Sequence, residues 1–309
     1  MTKFDFQTYY KFGNPIHIQS ISEPFLEWFI GFFEGDGYIT QWFDKGKLRI
    51  AIGIDQKDPA LIYKIRKELG FGRVRKYNRN GELYWRWIVE SREGIERISH
   101  LFNGNFVLVH RQEQFKYMLD SFLRHYPTPS LSYREVLIQP TLEDGWLSGF
   151  SEAECGFDGN FTNNFKRGEY SNGFQRYAIK LKFYITQKSI DKQILNHIGI
   201  LFNLNKIRIY PVQKPEQTGS FFYYRLEINT SAGHDSVIQY LTKFPLKGQK
   251  RFALIRFILL RRRQITRGSR FESDRMARRT ARLINFFVEK RKKKDGTIGE
   301  DLINSNMDF

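Results

Sequence analysis

The chain has 309 residues and a net charge of +17, from 50 Lys and Arg against 33 Asp and Glu, with a sequence pI near 9.8. Hydrophobic residues make up 41%, which excludes a disordered chain, and the basic excess favours a polyanionic partner, most often nucleic acid, over a merely solvated basic surface. The one cysteine, Cys155, excludes an internal disulfide and indicates a reducing compartment, and no apolar run is long enough to cross a membrane.

The first predicted element is an apolar helix that contains two glycines four residues apart. The stretch MTKFDFQTYYKF before it lacks the long apolar core of a secretory signal. The helix lies in EPFLEWFIGFFEGDGYIT, residues 23–40, with Gly31 and Gly35 among aromatic residues and with Glu34 and Asp36 at its end. A glycine in a helix costs about 1 kcal/mol relative to alanine, so the pair needs a reason.

Two strand pairs and two more helices complete the first half. Apolar residues at every second position predict a half-buried antiparallel strand with a basic open face, over Leu48, Ile50, Ile52 and Ile54. After a helix, the hairpin GRVRKYNRNGELYWRWIV turns at Asn80-Gly81 and places three side chains on one face, Arg73, Arg75 and Tyr77. A further helix follows the hairpin.

The same elements recur in the same order in the second half of the chain. WFIGFFEGDGYIT at residues 28–40 is echoed by WLSGFSEAECGFD at 146–158, and IGIDQKDPALIYKI at 52–65 is echoed by FYITQKSIDKQILNHI at 183–198. An alternating strand recurs over residues 177–185, and Lys206, Arg208 and Tyr210 repeat the basic, aromatic face. An ordinary solvated sheet face is the alternative interpretation, and the repetition favours a binding face.

The duplication divides the chain into segments. We expect an N-terminal half over residues 1–125, a linker with three prolines over 126–145 and a C-terminal half over 146–260. A basic extension follows over 261–309, with 14 Lys and Arg against 3 acids between Arg261 and Lys294. The extension is interpreted either as a backbone contact with DNA or RNA or as a solvated end.

The small residues of the two apolar helices predict how the halves meet. Gly31 and Gly35 form a smooth stripe, which lets the second apolar helix, with Gly149 and Ala153, pack closely against the first about a pseudo-twofold axis. The carboxyl ends of the helices then lie side by side with their acids.

Four acids stand at these helix ends. Glu34 and Glu152 are interpreted as ordinary helix-end or capping carboxylates, whereas Asp36 and Glu154 are the predicted metal-binding acids. Carboxylates that are close together repel one another, and the helix dipoles add to the repulsion, but such a pair suits divalent cations. An oxygen-rich site that also keeps waters favours Mg²⁺, and its place beneath two basic sheets suggests metal-assisted phosphodiester hydrolysis.

FIGFFEGDG and LSGFSEAEC resemble the two signature helices of the LAGLIDADG homing endonucleases, single-chain organellar type, from about Phe25 to Phe257. The resemblance implies an α+β fold of two αββαββα units with antiparallel saddle-shaped sheets, helices on the outer faces and the signature helices at the interface. It implies a Mg²⁺-dependent endonuclease that cuts both strands of a long asymmetric duplex to leave 3′ overhangs, with Ca²⁺ supporting binding without cleavage.

The family pattern also assigns roles to single residues. The metal set is Asp36 and Glu154, with the preceding Gly35 and Ala153. The remaining catalytic positions are Gln56, Gln187, Arg111 and a late lysine that aligns with either Lys247 or Lys250. The position after the second acid is normally glycine and here is Cys155, which a left-handed backbone would strain, so we expect the turn to use Gly156 instead.

DNA contacts are expected along both open sheet faces. Arginine suits guanine edges, asparagine suits adenine and an acid suits cytosine, although many basic residues contact only phosphate. The expected residues of the first half are Thr40, Trp42, Arg49, Arg73, Arg75 and Arg86, and those of the second are Asp158, Asn160, Thr162, Lys180, Lys182, Arg208 and Arg225.

Two other functions fit the same scaffold. One is an RNA-binding intron maturase, and the other is a catalytically inactive DNA-binding relative. For the nuclease we expect a monomer with no membrane association. The family origin implies expression within an organelle, mitochondrion first and chloroplast second.

Overall fold

A computed structural model of the protein describes residues 3–163, 177–212, 222–267, 279–280 and 282–287. The first half contains α1 (Gln7–Phe12), α2 (Glu23–Asp36), β1 (Gly37–Asp44), β2 (Lys47–Gln56), α3 (Pro59–Leu69), β3 (Arg73–Arg79), β4 (Glu82–Val89), α4 (Arg92–Phe102) and α5 (Val109–His125). The second half contains α6 (Trp146–Glu154), β5 (Cys155–Asn163), β6 (Tyr177–Lys188), α7 (Lys192–Leu201), β7 (Ile209–Val212), β8 (Tyr223–Ile228), α8 (Ser231–Lys243) and α9 (Lys250–Arg267). Each half therefore ends in two helices where the sequence predicted one.

Each half forms one four-stranded antiparallel sheet, with strand orders β1-β2-β4-β3 and β5-β6-β8-β7. The alternation of β2 is confirmed, because Ile52 and Ile54 are fully buried while Arg49 on the other face is exposed. The hairpin turn is confirmed at Asn80 and Gly81, whose φ angles of 52° and 80° match the two positive values that a type I′ turn requires. The duplicated α+β fold is thus as predicted.

The helix starts are set by local sequence, and the two halves use the same device. Ser91 caps α4 by accepting a hydrogen bond from the Gly94 amide, and Thr230 caps α8 by accepting one from the Gly233 amide. Side-chain oxygens at this position satisfy amides that the helix itself leaves unpaired. The repeat in cap chemistry is a second, local sign of the duplication.

The two halves meet where α2 packs against α6, and the small residues are the reason. A Cβ on Gly31 would lie 2.1 Å from the Trp146 carbonyl oxygen, and one on Gly149 would lie 1.8 Å from that of Trp28. A Cβ on Gly35 would lie 2.2 Å from the Cβ of Ala153. No side chain fits in these gaps, so the predicted helix crossing is confirmed.

Segments outside the duplicated elements pack on them. Within residues 126–145, Arg134 forms a salt bridge of 3.0 Å with Asp5, and the Ser132 carbonyl accepts a hydrogen bond from Asn103. The segment expected to be a linker is therefore attached to the first half. Short N-terminal α1, which the sequence did not predict, packs on α4.

Part of the basic extension belongs to the second half. Helix α9 continues across the boundary expected after residue 260, and Arg261 binds Asp235 of α8 through both carboxylate oxygens at 2.8 Å. Farther on, Ile284 and Phe287 are buried, and Phe287 lies against Gly159 on the apolar face of β5. This described part packs on the sheet face opposite to the basic one. Among the described residues, no helix is long and apolar enough to cross a membrane.

Candidate active site and nucleic-acid interface

Asp36 and Glu154 are the last residues of α2 and α6, so the helix contact sets their positions. Asp36 accepts a hydrogen bond of 2.8 Å from Nε2 of Gln56 at the end of β2. Burial raises the pKa of Asp36 above its ordinary value, against the opposing effects of Lys250, Gln56 and Arg111. The acid therefore stands in a partly dehydrated place with two cationic side chains near it.

Each helix end is also held by one cationic side chain. Arg111 donates to the carbonyl oxygen of Glu34 at 3.0 Å through Nε and to that of Gly37 at 2.7 Å through Nη2. Lys250 donates through Nζ to the carbonyl oxygens of Ser151 at 3.3 Å and Ala153 at 2.7 Å. Cations suit these positions because the unpaired carbonyls give a helix C-terminus a partial negative charge.

Burial and charge act in opposite directions on Arg111. Burial lowers its pKa, and the acids Glu34, Asp191, Glu154 and Asp36 oppose that effect, in this order of size. Arg111 thus lies within the electrostatic reach of both predicted metal-binding acids. Arg111 holds the end of α2 as Lys250 holds the end of α6, so the two cationic side chains occupy matching positions in the two halves.

The interpretation of Glu34 and Glu152 as capping carboxylates agrees with their contacts. Glu34 accepts hydrogen bonds from the amides of Val107 and Leu108 at 2.8 and 2.6 Å. Glu152 accepts them from the amides of Lys247 and Gly248 at 2.7 and 2.9 Å. Both acids are buried beneath the segments that lead into α5 and α9. They therefore fix where these two helices start, and with them the positions of Arg111 and Lys250.

The structure separates the two lysines that the sequence left as alternatives. Lys250 reaches the end of α6, as described above, and acts electrostatically on Asp36. Lys247 instead places its Nζ 5.2 Å from the centre of a Trp28 ring. Burial lowers the pKa of Lys247, and the positive charge of Lys64 lowers it further. Of the two, Lys250 is the one beside the acids.

The two glutamines also differ. Gln56 donates directly to Asp36, whereas the buried Gln187 accepts, through its side-chain oxygen, a 2.8 Å hydrogen bond from the amide of Lys188. Both stand near the end of the second strand of their sheets, β2 and β6. The half-sites therefore share positions but differ in their polar contacts.

The turn expected at Gly156 is absent, and that prediction was wrong, because Gly156 has no positive φ and lies within β5. Cys155 has φ −84° and ψ 161°, and Gly37 at the equivalent position has φ −78° and ψ 164°, so both backbones are extended. A Cβ on Gly37 would lie 2.4 Å from the Phe33 ring, which explains the glycine there. The second half carries the smaller Ser151 in place of Phe33, and a cysteine is accommodated without a turn at Gly156.

The donors at the helix ends fit a hard divalent cation. Among the described residues, no group of three or more His, Cys, Asp or Glu could hold a metal. The carboxylates of Asp36 and Glu154 are hard oxygen donors, and Gly35 and Ala153 bring main-chain carbonyl oxygens to the same helix ends. Two carboxylates and two carbonyl oxygens leave further coordination positions of an ion open. Such a set suits an ion that keeps water ligands and also binds phosphate oxygens.

The expected DNA contacts fall on one face of each sheet. Cross-strand partners share a face, and the pairs Trp42 with Arg49 and Arg75 with Arg86 place the first set together. In the second sheet the pairs are Asp158 with Lys182 and Asn160 with Lys180. The side chain of Thr162 lies outside the described part, although its backbone belongs to β5.

Several of the basic residues on these faces are paired with acids. Salt bridges join Arg49 to Asp44 at 3.3 Å, Arg75 to Glu90 at 2.5 Å and Lys182 to Glu227 at 2.9 Å. Within the part of the chain that the structure describes, four of the basic residues expected to contact DNA form no salt bridge: Arg73, Lys180, Arg208 and Arg225. Arg86 and Arg225 lie over tyrosine rings.

Sequence reasoning missed two tyrosines on these faces. Tyr38 lies opposite Gly53 and Tyr184 lies opposite Gly156. A Cβ on Gly53 would lie 2.5 Å from the Tyr38 hydroxyl, and one on Gly156 would lie 2.1 Å from the Tyr184 ring. Each ring stacks beneath an arginine, Arg86 or Arg225, with centroid distances of 5.4 and 4.5 Å. Tyr38 stands two residues before Thr40 and so shares its face of β1, but the glycine opposite Tyr38 is identified only by the strand register.

A family model described as LAGLIDADG endonuclease matches residues 29–121 and 147–260. A relative from Neurospora crassa, "Probable intron-encoded endonuclease 4", is 30% identical over 232 residues, which are 73% of this chain and 38% of that protein. The "Uncharacterized cox1 intron-2 37.2 kDa protein" of Schizosaccharomyces pombe is 27% identical over 179 residues, 56% of this chain and 49% of that protein. The chain thus spans less than half the length of these curated relatives.

Solved structures of the same fold are matched over most of the chain. The LAGLIDADG meganuclease I-AabMI bound to uncleaved DNA superposes with a TM-score of 0.62 at 17% identity, over 84% of this chain and 98% of that one. The LAGLIDADG homing endonuclease I-LtrWI bound to target DNA gives 0.61 at 18% identity, over 85% and 98%. The family model covers both halves and each signature helix, and this chain therefore belongs to the LAGLIDADG endonuclease family, in its single-chain form with two motifs.

Proposed function

We propose that the chain is a site-specific endonuclease that hydrolyses one phosphodiester on each strand of a long asymmetric DNA duplex and leaves 3′ overhangs. The observation that carries the proposal is the position of Asp36 and Glu154, which end two glycine-packed helices beside the bases of two sheets with basic faces. With one acid in each half, each acid can serve one strand of a duplex. Because the two sheet faces carry different side chains, they suit a target whose two halves differ in sequence.

Mg²⁺ is the cofactor that this proposal requires. Asp36 and Glu154 would hold it, with carbonyl oxygens from Gly35 and Ala153 completing a hard oxygen set. When bound, it supplies an activated water and neutralises charge on the phosphate. Ca²⁺ has the same preference for oxygen, and we propose that it supports binding without cleavage.

The protein's own side chains act on position and charge. Gln56 fixes the orientation of Asp36 through its 2.8 Å hydrogen bond. Lys250 and Arg111 lie at the two helix ends and would stabilise the negative charge that develops as the 3′ oxygen leaves. The two sheets hold the duplex so that each scissile phosphate meets one acid.

Partner, oligomeric state and location follow from the same proposal. Both acids reside in one chain, so a monomer suffices to cut a duplex. The name of the Schizosaccharomyces pombe relative refers to a cox1 intron, which supports expression within an organelle, mitochondrion first.

The test replaces each acid by its neutral isostere, Asp36→Asn and Glu154→Gln. Both variants should bind the selected duplex in Ca²⁺ about as tightly as the wild-type protein and should lose cleavage in Mg²⁺. Asp235→Asn is the matched control, because it also removes one carboxylate, which lies on α8 and pairs with Arg261. Wild-type cleavage by either isostere would contradict the proposal, and binding without cleavage by the wild-type protein would indicate an inactive relative.

A further inference from the structure

The centre of the first sheet's basic face holds a preformed cluster around Arg86. Its Nε donates to Oδ1 of Asp55 at 2.6 Å and its Nη2 donates to Oδ2 at 2.8 Å. The Tyr77 hydroxyl donates to the same carboxylate at 2.7 Å. The guanidinium also lies 4.8 Å from the Tyr77 ring centre and 5.4 Å from that of Tyr38. A carboxylate and two aromatic rings thus fix one arginine.

The strands hold this cluster in register. Asp55 is the direct cross-strand partner of Arg86, which in turn faces Arg75 on the neighbouring strand. Burial raises the pKa of Asp55, but the Arg86 guanidinium and the Tyr77 hydroxyl outweigh it, so that this pKa lies below its ordinary value. The carboxylate is therefore charged at neutral pH, on a face that otherwise attracts DNA phosphates.

The second half provides an internal comparison. Arg225 occupies the position equivalent to Arg86, and its cross-strand partner is the neutral Thr186. Arg225 donates one hydrogen bond to the Thr186 hydroxyl at 3.2 Å and lies over Tyr184 at 4.5 Å. The two halves share the arginine and the aromatic ring, and differ in the carboxylate.

The carboxylate changes what the arginine can do. A long, unrestrained arginine reaches phosphates, and phosphate contacts carry no sequence information. A guanidinium held by Nε and Nη2 keeps a fixed direction, and Nη1 takes no part in either bond to Asp55. A fork in a fixed direction matches the two acceptors on a guanine edge, and the nearby negative charge of Asp55 disfavours a phosphate.

We propose that Asp55 is a specificity-determining residue of the first half, which holds Arg86 for one guanine edge and away from the DNA backbone. The inference rests on the proposed DNA target recognition. Asp55 itself acts through Arg86 and is a positioning residue. The second half, with Thr186, should discriminate less at the equivalent base pair.

The experiment measures binding in Ca²⁺ to the selected target, to each of its single base-pair substitutions in the first half-site and to a random duplex. Arg86→Lys identifies the base pair that Arg86 reads, because lysine lacks the fork. Asp55→Asn and Asp55→Thr should each reduce discrimination at that same base pair by roughly tenfold, while the random duplex is bound as tightly or more tightly. Asp55→Thr introduces the residue type that pairs with the equivalent arginine in the second half. Because threonine favours β-strands, we expect this variant to fold.

Asp235→Asn is the matched control, since it breaks another two-point Arg–Asp pair on the helical side of the second half. It should leave discrimination unchanged. The assignment is overturned if both Asp55 variants discriminate as the wild-type protein does, or if they lose affinity equally for target and random duplex, as a merely structural role predicts. If the wild-type protein selects no duplex, the proposed function itself fails, and the assignment fails with it.

Discussion

Gly149→Ala tests the link between helix packing and catalysis. The added Cβ would lie 1.8 Å from the Trp28 carbonyl oxygen, whereas ordinary contacts begin at 3.4 Å. The obstacle is backbone on both sides, so no side chain can rotate away. The helices must separate by about 1.6 Å, the difference between these two distances, or tilt.

The expected magnitudes follow from that displacement. Overpacking of a tight contact costs up to about 3 kcal/mol, and alanine regains about 1 kcal/mol of helix propensity, so we expect a net loss of about 2 kcal/mol. For 309 residues, with about 2.1 cal/mol/K of unfolding entropy per residue, that is a fall of roughly 3 °C in Tm. Because Glu154 moves with α6 relative to Asp36, cleavage should fall by about 100-fold, the usual effect of a 1 Å misplacement.

The assay combines thermal melting, binding in Ca²⁺ and cleavage in Mg²⁺ at a temperature where the variant is folded. Ser148→Ala is the matched control on the same helix, because it adds no atom and removes a buried hydroxyl that has no partner among the described residues. It should melt and cut like the wild-type protein. A Gly149→Ala variant with wild-type Tm and wild-type cleavage would refute the argument.

Four further variants test the site. Lys250→Met should reduce cleavage by about 10²–10³-fold, as loss of a charge-stabilising donor does. Lys247→Met should cleave within about twofold of the wild-type rate in the same single-turnover assay. Equal effects of the two substitutions would contradict the separation of the two lysines. Burial raises the pKa of Glu34 to about 7, from about 4.3 in the unfolded chain, so its contribution to stability is full below about pH 4 and is lost as pH rises through 7. Glu34→Gln should therefore flatten the fall in Tm between pH 5 and 7, and an unchanged profile would refute this assignment. Cys155→Gly should cut normally and lose about 1 kcal/mol of stability to denaturant, because the extended backbone there needs no glycine.

The duplication made much of the fold predictable from the sequence. Small residues at the same spacing in two apolar helices predicted the interface, because helices approach closely only where side chains are missing. The Asn80-Gly81 hairpin and the alternation of β2 depend on neighbouring residues alone, and both were confirmed. Features with a local cause are visible in one sequence.

Features that depend on distant pairing were not visible. The choice between Lys247 and Lys250 rests on Glu152, whose carboxylate binds the amides of residues 247 and 248 and so sets where α9 begins. The Asp55–Arg86 pair needs the β2–β4 register, which joins strands that are not consecutive. Room for the Cys155 side chain depends on a residue one turn earlier, where the second half has the small Ser151 in place of Phe33.

The most direct test of the account is a selection of random duplex DNA with the full chain, first for binding in Ca²⁺ and then for cutting in Mg²⁺. We expect one long asymmetric site, bound in Ca²⁺ and cut on both strands in Mg²⁺ with 3′ overhangs. We also expect Asp36→Asn to bind that site and to leave it intact. Failure to enrich any duplex, or cutting that survives both Asp36→Asn and Glu154→Gln, would contradict it.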